Sequence, residues 1–144
     1  MLLTKQVDLT QIPEIKILND VRLIHRHDLN QISSQENLRV QFEITGDVKG
    51  AITCYLCMDE LELSQMEKNY IFPLFTESMN ILIGRQISLD QQIAKLKVNL
   101  SAPKISMISV PVRTANKSVS HIYELELATM SFNVVVESSL EYLN

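Results

Sequence analysis

The chain has little that would mark it for a membrane, a nucleic acid or an oxidising compartment. No apolar run approaches the roughly 20 residues that a spanning helix needs, so no membrane partner is expected. The opening "MLLTKQVDLTQIPE" lacks a basic segment followed by an apolar one, the mark of a secretory signal, and the expected location is the cytoplasm. Basic charge is not in excess. The formal net charge of −4 and a pI near 5.3 argue against nucleic acid or an anionic membrane surface as partner. Cysteine is scarce, with Cys54 and Cys57 together in "ITCYLCM". The C-x-x-C spacing is compatible with redox or metal chemistry. Strand-favouring neighbours, however, send positions three apart to opposite faces, and two buried reduced thiols are the expectation. Histidine is as sparse. His25 and His27 are two apart and can share one face of a strand, with no third ligand nearby, and His121 opens another strand-like run. No metal site is expected on these residues. A Gly-x-Ser-x-Gly elbow, a Cys–His pair and a P-loop are absent, as are repeats, low-complexity segments and linkers.

What is there is the material of a globular fold. At 144 residues, with 46% hydrophobic and 21% charged residues, the chain suits one domain that buries its own core. In "LRVQFEIT", Leu38, Val40, Phe42 and Ile44 alternate with Arg39, Gln41 and Glu43, the period of a half-buried strand. "TGDVKG" supplies turn residues, and a second strand is expected from Ala51 to about Met58. Ser64 with Glu67 three residues on has capping-box spacing. Helical character runs from about 65 to 86, with a break or kink expected before Pro73, or Pro73 as the first residue of a second helix. Gly84 and "RQISLDQQ" mark the exit. Strands are then expected at 93–100, 104–112, 121–129 and 130–138, with the turn cluster "TANKS" between the second and third. The last of them, "MSFNVVVES", reads as central or dimer-facing. In 121–129, Ile122, Glu124 and Glu126 share one side, and Tyr123, Leu125 and Leu127 the other. Residues 14 to 29 fit a hairpin turning at Asn19-Asp20 as well as a helix. The expected fold class is α+β: an antiparallel sheet of about six strands with a helical layer on one face.

"FTESMNILIGRQIS" (75–88) carries the polar residues of interest. On a helical wheel with Glu77 at zero, Phe75, Leu82, Met79 and Ile83 gather at about 160°, 140°, 200° and 240°, a buried stripe. Asn80 at about 300° and Gly84 at about 340° flank Glu77 on the far side. Glu77 and Asn80 are therefore neighbours, facing solvent or a partner. A glycine beside them either lets a partner's backbone come close or caps the helix. The bland alternative is that acids and amides on outer helix faces are common. A second E-x-x-N, Glu141 to Asn144, has no following helix to carry it and reads as chance.

This stretch resembles the E-x-x-N-x-x-x-G helix of the CheX, CheC and FliY phosphatases of bacterial chemotaxis. The preceding "EITGDVKGAITCYLCM" is similar to the family's glycine-turned hairpin, and "ISLDQQIAKLKVNLSAPKIS" to its strand and proline-containing segment. The resemblance covers about residues 38 to 136 and is nearest to CheX, since only one such helix is present where CheC and FliY types carry two. It implies a single CheX-like domain over 1–144 that hydrolyses the aspartyl phosphate of a CheY-like response regulator. Glu77 would pair with the regulator's active-site lysine and Asn80 would orient the attacking water. No cofactor of its own is implied, and Mg²⁺ is expected in the partner. CheX-like members are typically homodimers. Two further readings stand beside this one: a non-catalytic CheX-like binding module, which Pro73 would favour by shifting the helix, and a dimerisation unit with 130–138 as a sheet edge.

Overall fold

The computed structural model describes residues 14–18, 21–26, 36–58, 63–93, 95–109, 119–127 and 130–142. In chain order the elements are β1 (Glu14–Leu18), β2 (Val21–His25), β3 (Asn37–Gly46), β4 (Val48–Cys57), α1 (Gln65–Ile93), β5 (Val98–Leu100), β6 (Lys104–Ile108), β7 (Val119–Leu127) and β8 (Met130–Tyr142). The strands form one sheet of order β1-β2-β7-β8-β4-β3-β5, with β6 also on β3, and every pairing is antiparallel.

The α+β class with a one-sided helical layer is as expected, but among the described residues the sheet has eight strands rather than about six. The two additional strands are β1 and β2, where the sequence allowed helix or hairpin. The hairpin is what forms, with Leu18 opposite Val21. β2 is held on β7 by cross-strand pairs, Arg22 with Glu126 and Arg26 with Glu124 (2.9 Å).

The alternation seen at 38–45 sets the register. Leu38, Val40, Phe42 and Ile44 of β3 face the helix with Ile52, Cys54 and Leu56 of β4, and all are essentially sealed from solvent. The β3–β4 turn is tighter than expected, with β4 starting at Val48 rather than Ala51. Gly46 has φ 107°, and a Cβ there would lie 2.2 Å from the Lys97 carbonyl oxygen, so close approach demands glycine. Asp47 completes the clamp, accepting the Lys97 amide on its carboxylate at 2.8 Å.

Further boundaries differ from expectation. Pro73 neither ends one helix nor begins another: α1 is a single element of 29 residues with Pro73 in its third turn. The missing N–H lies on the outward side of the helix, where water can serve the carbonyl one turn back. Interior proline and glycine together cost about 4 kcal/mol of helix propensity. Burial of Ile71, Phe75, Met79, Leu82 and Ile83 contributes on the order of 10 kcal/mol, at about 1.5–3 per large side chain, and prevails. For the same reason α1 continues past Gly84 to Ile93, since Gln86 and Ile87 are buried too. The strand expected from 93 accordingly shortens to Val98–Leu100, after a left-handed Lys95 (φ 54°). β6 ends at Ile108; Pro111 and "TANKS" fall outside the described residues.

β8 is central, paired along both edges by β7 and β4. The idea that 130–138 forms an exposed sheet edge for dimerisation is therefore wrong. Its β-branched residues serve the interior, where Val134 and Val136 line the main core.

The two thiols lie on opposite faces of the sheet: Cys54 belongs to the main core, and Cys57 to a small cluster with Ile122 and Val135. No disulfide joins them. Burial pushes the Cys54 thiol up to about 12. Cys54 is expected to resist iodoacetamide at pH 8 in the native protein and to react at once in guanidinium. Mass-spectrometric labelling that modifies native Cys54 within minutes would contradict its position in the core.

Among the described residues, the face away from the helix holds one ill-placed charge. Glu137, on β8 opposite Thr53, has Oε2 buried with no hydrogen-bond partner among the described residues, and burial raises its carboxyl above the usual range. Burial also raises the nearby Tyr55 hydroxyl, with the Glu137 charge adding to it. Because the folded carboxyl is the weaker acid, its penalty is absent below the ordinary glutamate range. The penalty grows as pH rises through the folded value. Glu137→Gln should therefore melt higher than wild type at pH 7–8, with the gap closing towards pH 4. A Gln variant that melts lower than wild type at pH 8 would refute this.

Candidate functional site

The site is built from the outer side of α1. Its first turn is fixed by the expected capping box: the Glu67 amide donates to Ser64 Oγ, and the Ser64 amide to Glu67 Oε1, both at 3.1 Å. One side of the helix then sinks into the sheet. Phe75, Met79, Leu82 and Ile83, the stripe read from the wheel, are all buried. At the helix's far end Gln91 donates to the Val98 carbonyl (2.8 Å), and Arg85 reaches the Lys16 and Ile17 carbonyls of β1 (3.3 Å each). The helix is thus tied to the sheet at both margins and cannot roll without losing these contacts.

Glu77 and Asn80 both stand exposed, three residues apart on this anchored helix, so their Cβ atoms are about 5–6 Å apart. Among the described residues neither side chain has a hydrogen-bond or ion-pair partner. The adjacent hydroxyls are used up locally: Thr76 donates to the Phe72 carbonyl at 2.9 Å and the buried Ser78 to the Leu74 carbonyl at 2.7 Å. What remains available to another molecule is one carboxylate, able to take an ammonium, and one carboxamide, able to donate and accept at once.

Gly84 is not a cap, since the helix runs on beyond it. Nor does the chain's own packing require it. A Cβ built there would meet nothing within 4 Å. It leaves a bare stretch of helix beside Glu77 and Asn80.

Carrying the wheel back through Pro73 exposes what the sequence reading missed. Met66 and Tyr70 are 81% and 67% exposed, large apolar side chains on the open side of the helix. At about 340° and 20° they share the phase of Glu77. The four-residue spacing was visible in the sequence. An expected break at Pro73 hid its continuity with the acid and amide.

Other candidate chemistry does not converge. His25 packs against Tyr123 with ring centroids 5.0 Å apart, and His27 lies outside the described residues. Among the described residues no group of three His, Cys, Asp or Glu side chains is placed to hold a metal ion. Glu141, the other E-x-x-N acid, is on strand β8, so that spacing has no helix to act through. No described helix is long and apolar enough to cross a membrane.

No protein-family profile and no characterised protein sequence matches the chain. Solved structures do. One is the crystal structure of the CheX–CheY–BeF₃–Mg²⁺ complex from Borrelia burgdorferi, whose CheX chain superposes with a TM-score of 0.51 at 14% identity. The match covers 78% of this chain and 87% of that one. At this identity the likeness is one of fold, and the fold of this chain is CheX-like.

Proposed function

We propose that this chain is a phosphatase of the aspartyl phosphate on a CheY-like response regulator, with Glu77 docking the regulator and Asn80 placing the attacking water. The observation that carries the reading is the pair itself. An acid and an amide with no partner among the described residues stand side by side on a helix locked to the sheet, in a fold similar to that of CheX. The solved neighbour is named as a complex with CheY, which supports a receiver as partner.

The chemistry asks little of this chain. An aspartyl phosphate is an acyl phosphate, already activated. Water attacks phosphorus in line, the P–O bond to the aspartate breaks, and the products are carboxylate and inorganic phosphate. The regulator supplies Mg²⁺ and a lysine to offset charge. What the water lacks is orientation, and a carboxamide fixed on a rigid helix supplies it, as a glutamine does in GTPases. Glu77, paired with the lysine before and during the reaction, governs binding. Asn80 governs turnover, because a placed water matters only as the bond breaks.

Asn80→Ala is expected to lower phosphate release from a cognate phosphorylated regulator about a hundredfold or more. Its stability should stay within about 0.5 kcal/mol of wild type, since the side chain is on the outer surface. Glu77→Ala should raise KM. Undiminished release by Asn80→Ala, in a panel of phosphorylated regulators from the source organism, leaves a non-catalytic docking module in place of an enzyme.

A homodimer belongs to the same proposal, at a different edge from the one first expected. Among the described residues β6 pairs only with β3, and its Ile105 and Met107 are 55% and 50% exposed. An open edge with two apolar side chains invites a second copy. Light scattering should return a dimer at micromolar concentration and a monomer for Met107→Lys; a monomeric wild type at high micromolar concentration rules this out.

A further inference from the structure

The outer stripe of α1 extends well beyond the two polar residues. Met66, Tyr70, Pro73, Glu77 and Gly84 all fall within about 40° of Glu77 on the wheel. Along the axis Tyr70 lies about 10 Å before Glu77, Met66 about 16 Å before it, and Gly84 about 10 Å after it. Exposed Met and Tyr are unusual on a surface with no reason to keep them, and both types are enriched in protein interfaces. Gly84 is just as unexplained. It weakens the helix by about 1 kcal/mol against alanine, and none of the described residues occupies the space a Cβ would take.

Size joins these observations. A stable protein interface covers about 800 Å² on each partner, a disc of roughly 16 Å radius. Any globular partner that seats Glu77 and Asn80 in its active site must also lie over Tyr70 and Gly84, with Met66 at the rim. A small-molecule substrate would need none of the three. A second copy of this chain is the poorer occupant, because twofold pairing centred on Glu77 sets carboxylate against carboxylate.

We propose that Tyr70, with Met66, is the apolar anchor that seats a phosphorylated receiver domain on α1, and that Gly84 is the point where that partner's backbone meets the helix. This rests on the phosphatase reading and adds to it the residues that select the partner. The receiver must accordingly present an apolar patch about 10 Å from its phosphoaspartate pocket on one side. On the opposite side a loop must be able to touch bare helix.

The test uses the full chain against receiver domains of the source organism's response regulators. They are loaded with Mg²⁺ and beryllofluoride for binding, and phosphorylated for turnover. Tyr70→Gln should weaken binding about tenfold or more and raise KM with kcat unchanged at saturation. Met66→Gln should do the same to a smaller extent. Gly84→Ala should raise the melting temperature and yet weaken binding, a split that a purely structural glycine cannot give. If Asn80→Ala stops turnover while Tyr70→Gln and Gly84→Ala bind as wild type does, this interface is wrong and the phosphatase reading survives. If wild type neither binds nor dephosphorylates any receiver, both fail. A change of oligomeric state in Tyr70→Gln assigns the stripe to self-association instead. A lower melting temperature in Gly84→Ala returns that glycine to the fold and removes it from the proposal.

Discussion

The outer surface of α1, with its acid and amide, depends on how one helix lies on one sheet. Ile71, Phe75, Met79, Leu82 and Ile83 of α1 enter a surface made by Val40, Phe42, Ile52, Leu56, Val134 and Val136. The contact fixes the helix's rotation about its own axis. A helix so fixed has a fixed outer stripe, and Glu77 and Asn80 are on it because the apolar residues are not. Turning the helix by one position, about 100°, would carry Glu77 towards the sheet and bury a carboxylate without a partner, a state far costlier than any gain in packing.

The same contact explains a local conflict. Taken by itself, the segment around Pro73 prefers to stop, and the segment around Gly84 prefers to fray. Both positions face away from the sheet, so neither withdraws a side chain from the core. The buried stripe is uninterrupted and the helix runs through. Continuity also turns separate features into one surface: two apolar side chains, an acid, an amide and a bare backbone along a single axis.

The sheet plays a quieter part. Its core face is largely apolar, with Ser138 buried among the hydrophobic residues, while its other face carries cross-strand ion pairs, the small Cys57–Ile122–Val135 cluster and the buried oxygen of Glu137. Two strands, β7 and β8, sit between the N-terminal hairpin and the β3–β4 hairpin, so residues distant in the chain close one continuous support under the helix. Arg85 then fastens the helix to β1, a strand some seventy residues earlier in the chain.

Much of this was legible in the residues. Alternation at 38–44 named the inward positions, and at 122–126 it separated the side of Tyr123 and Leu125, which enters the main core, from the other, because a period of two leaves one choice of face once a sheet has a core side. The capping box placed the start of α1, because both of its bonds are local. The wheel placed Glu77 and Asn80 outside, because four large apolar residues shared the opposite side. What the sequence could not settle was whatever local preference and distant packing contest. β1 and β2 pair with each other, and β7 offers β2 its other edge, a partner about a hundred residues away that no local pattern names. β8 became central only because β4 and β7 both pair with it. Pro73 and Gly84 stayed inside a helix because the sheet rewards the residues around them. The proline and the glycine together cost about 4 kcal/mol of helix propensity, and the core that the helix shares with the sheet, on the order of 10 kcal/mol, outweighs it. The outer stripe of α1 is therefore written in the sequence, and its reach from Met66 to Gly84 is set by the fold.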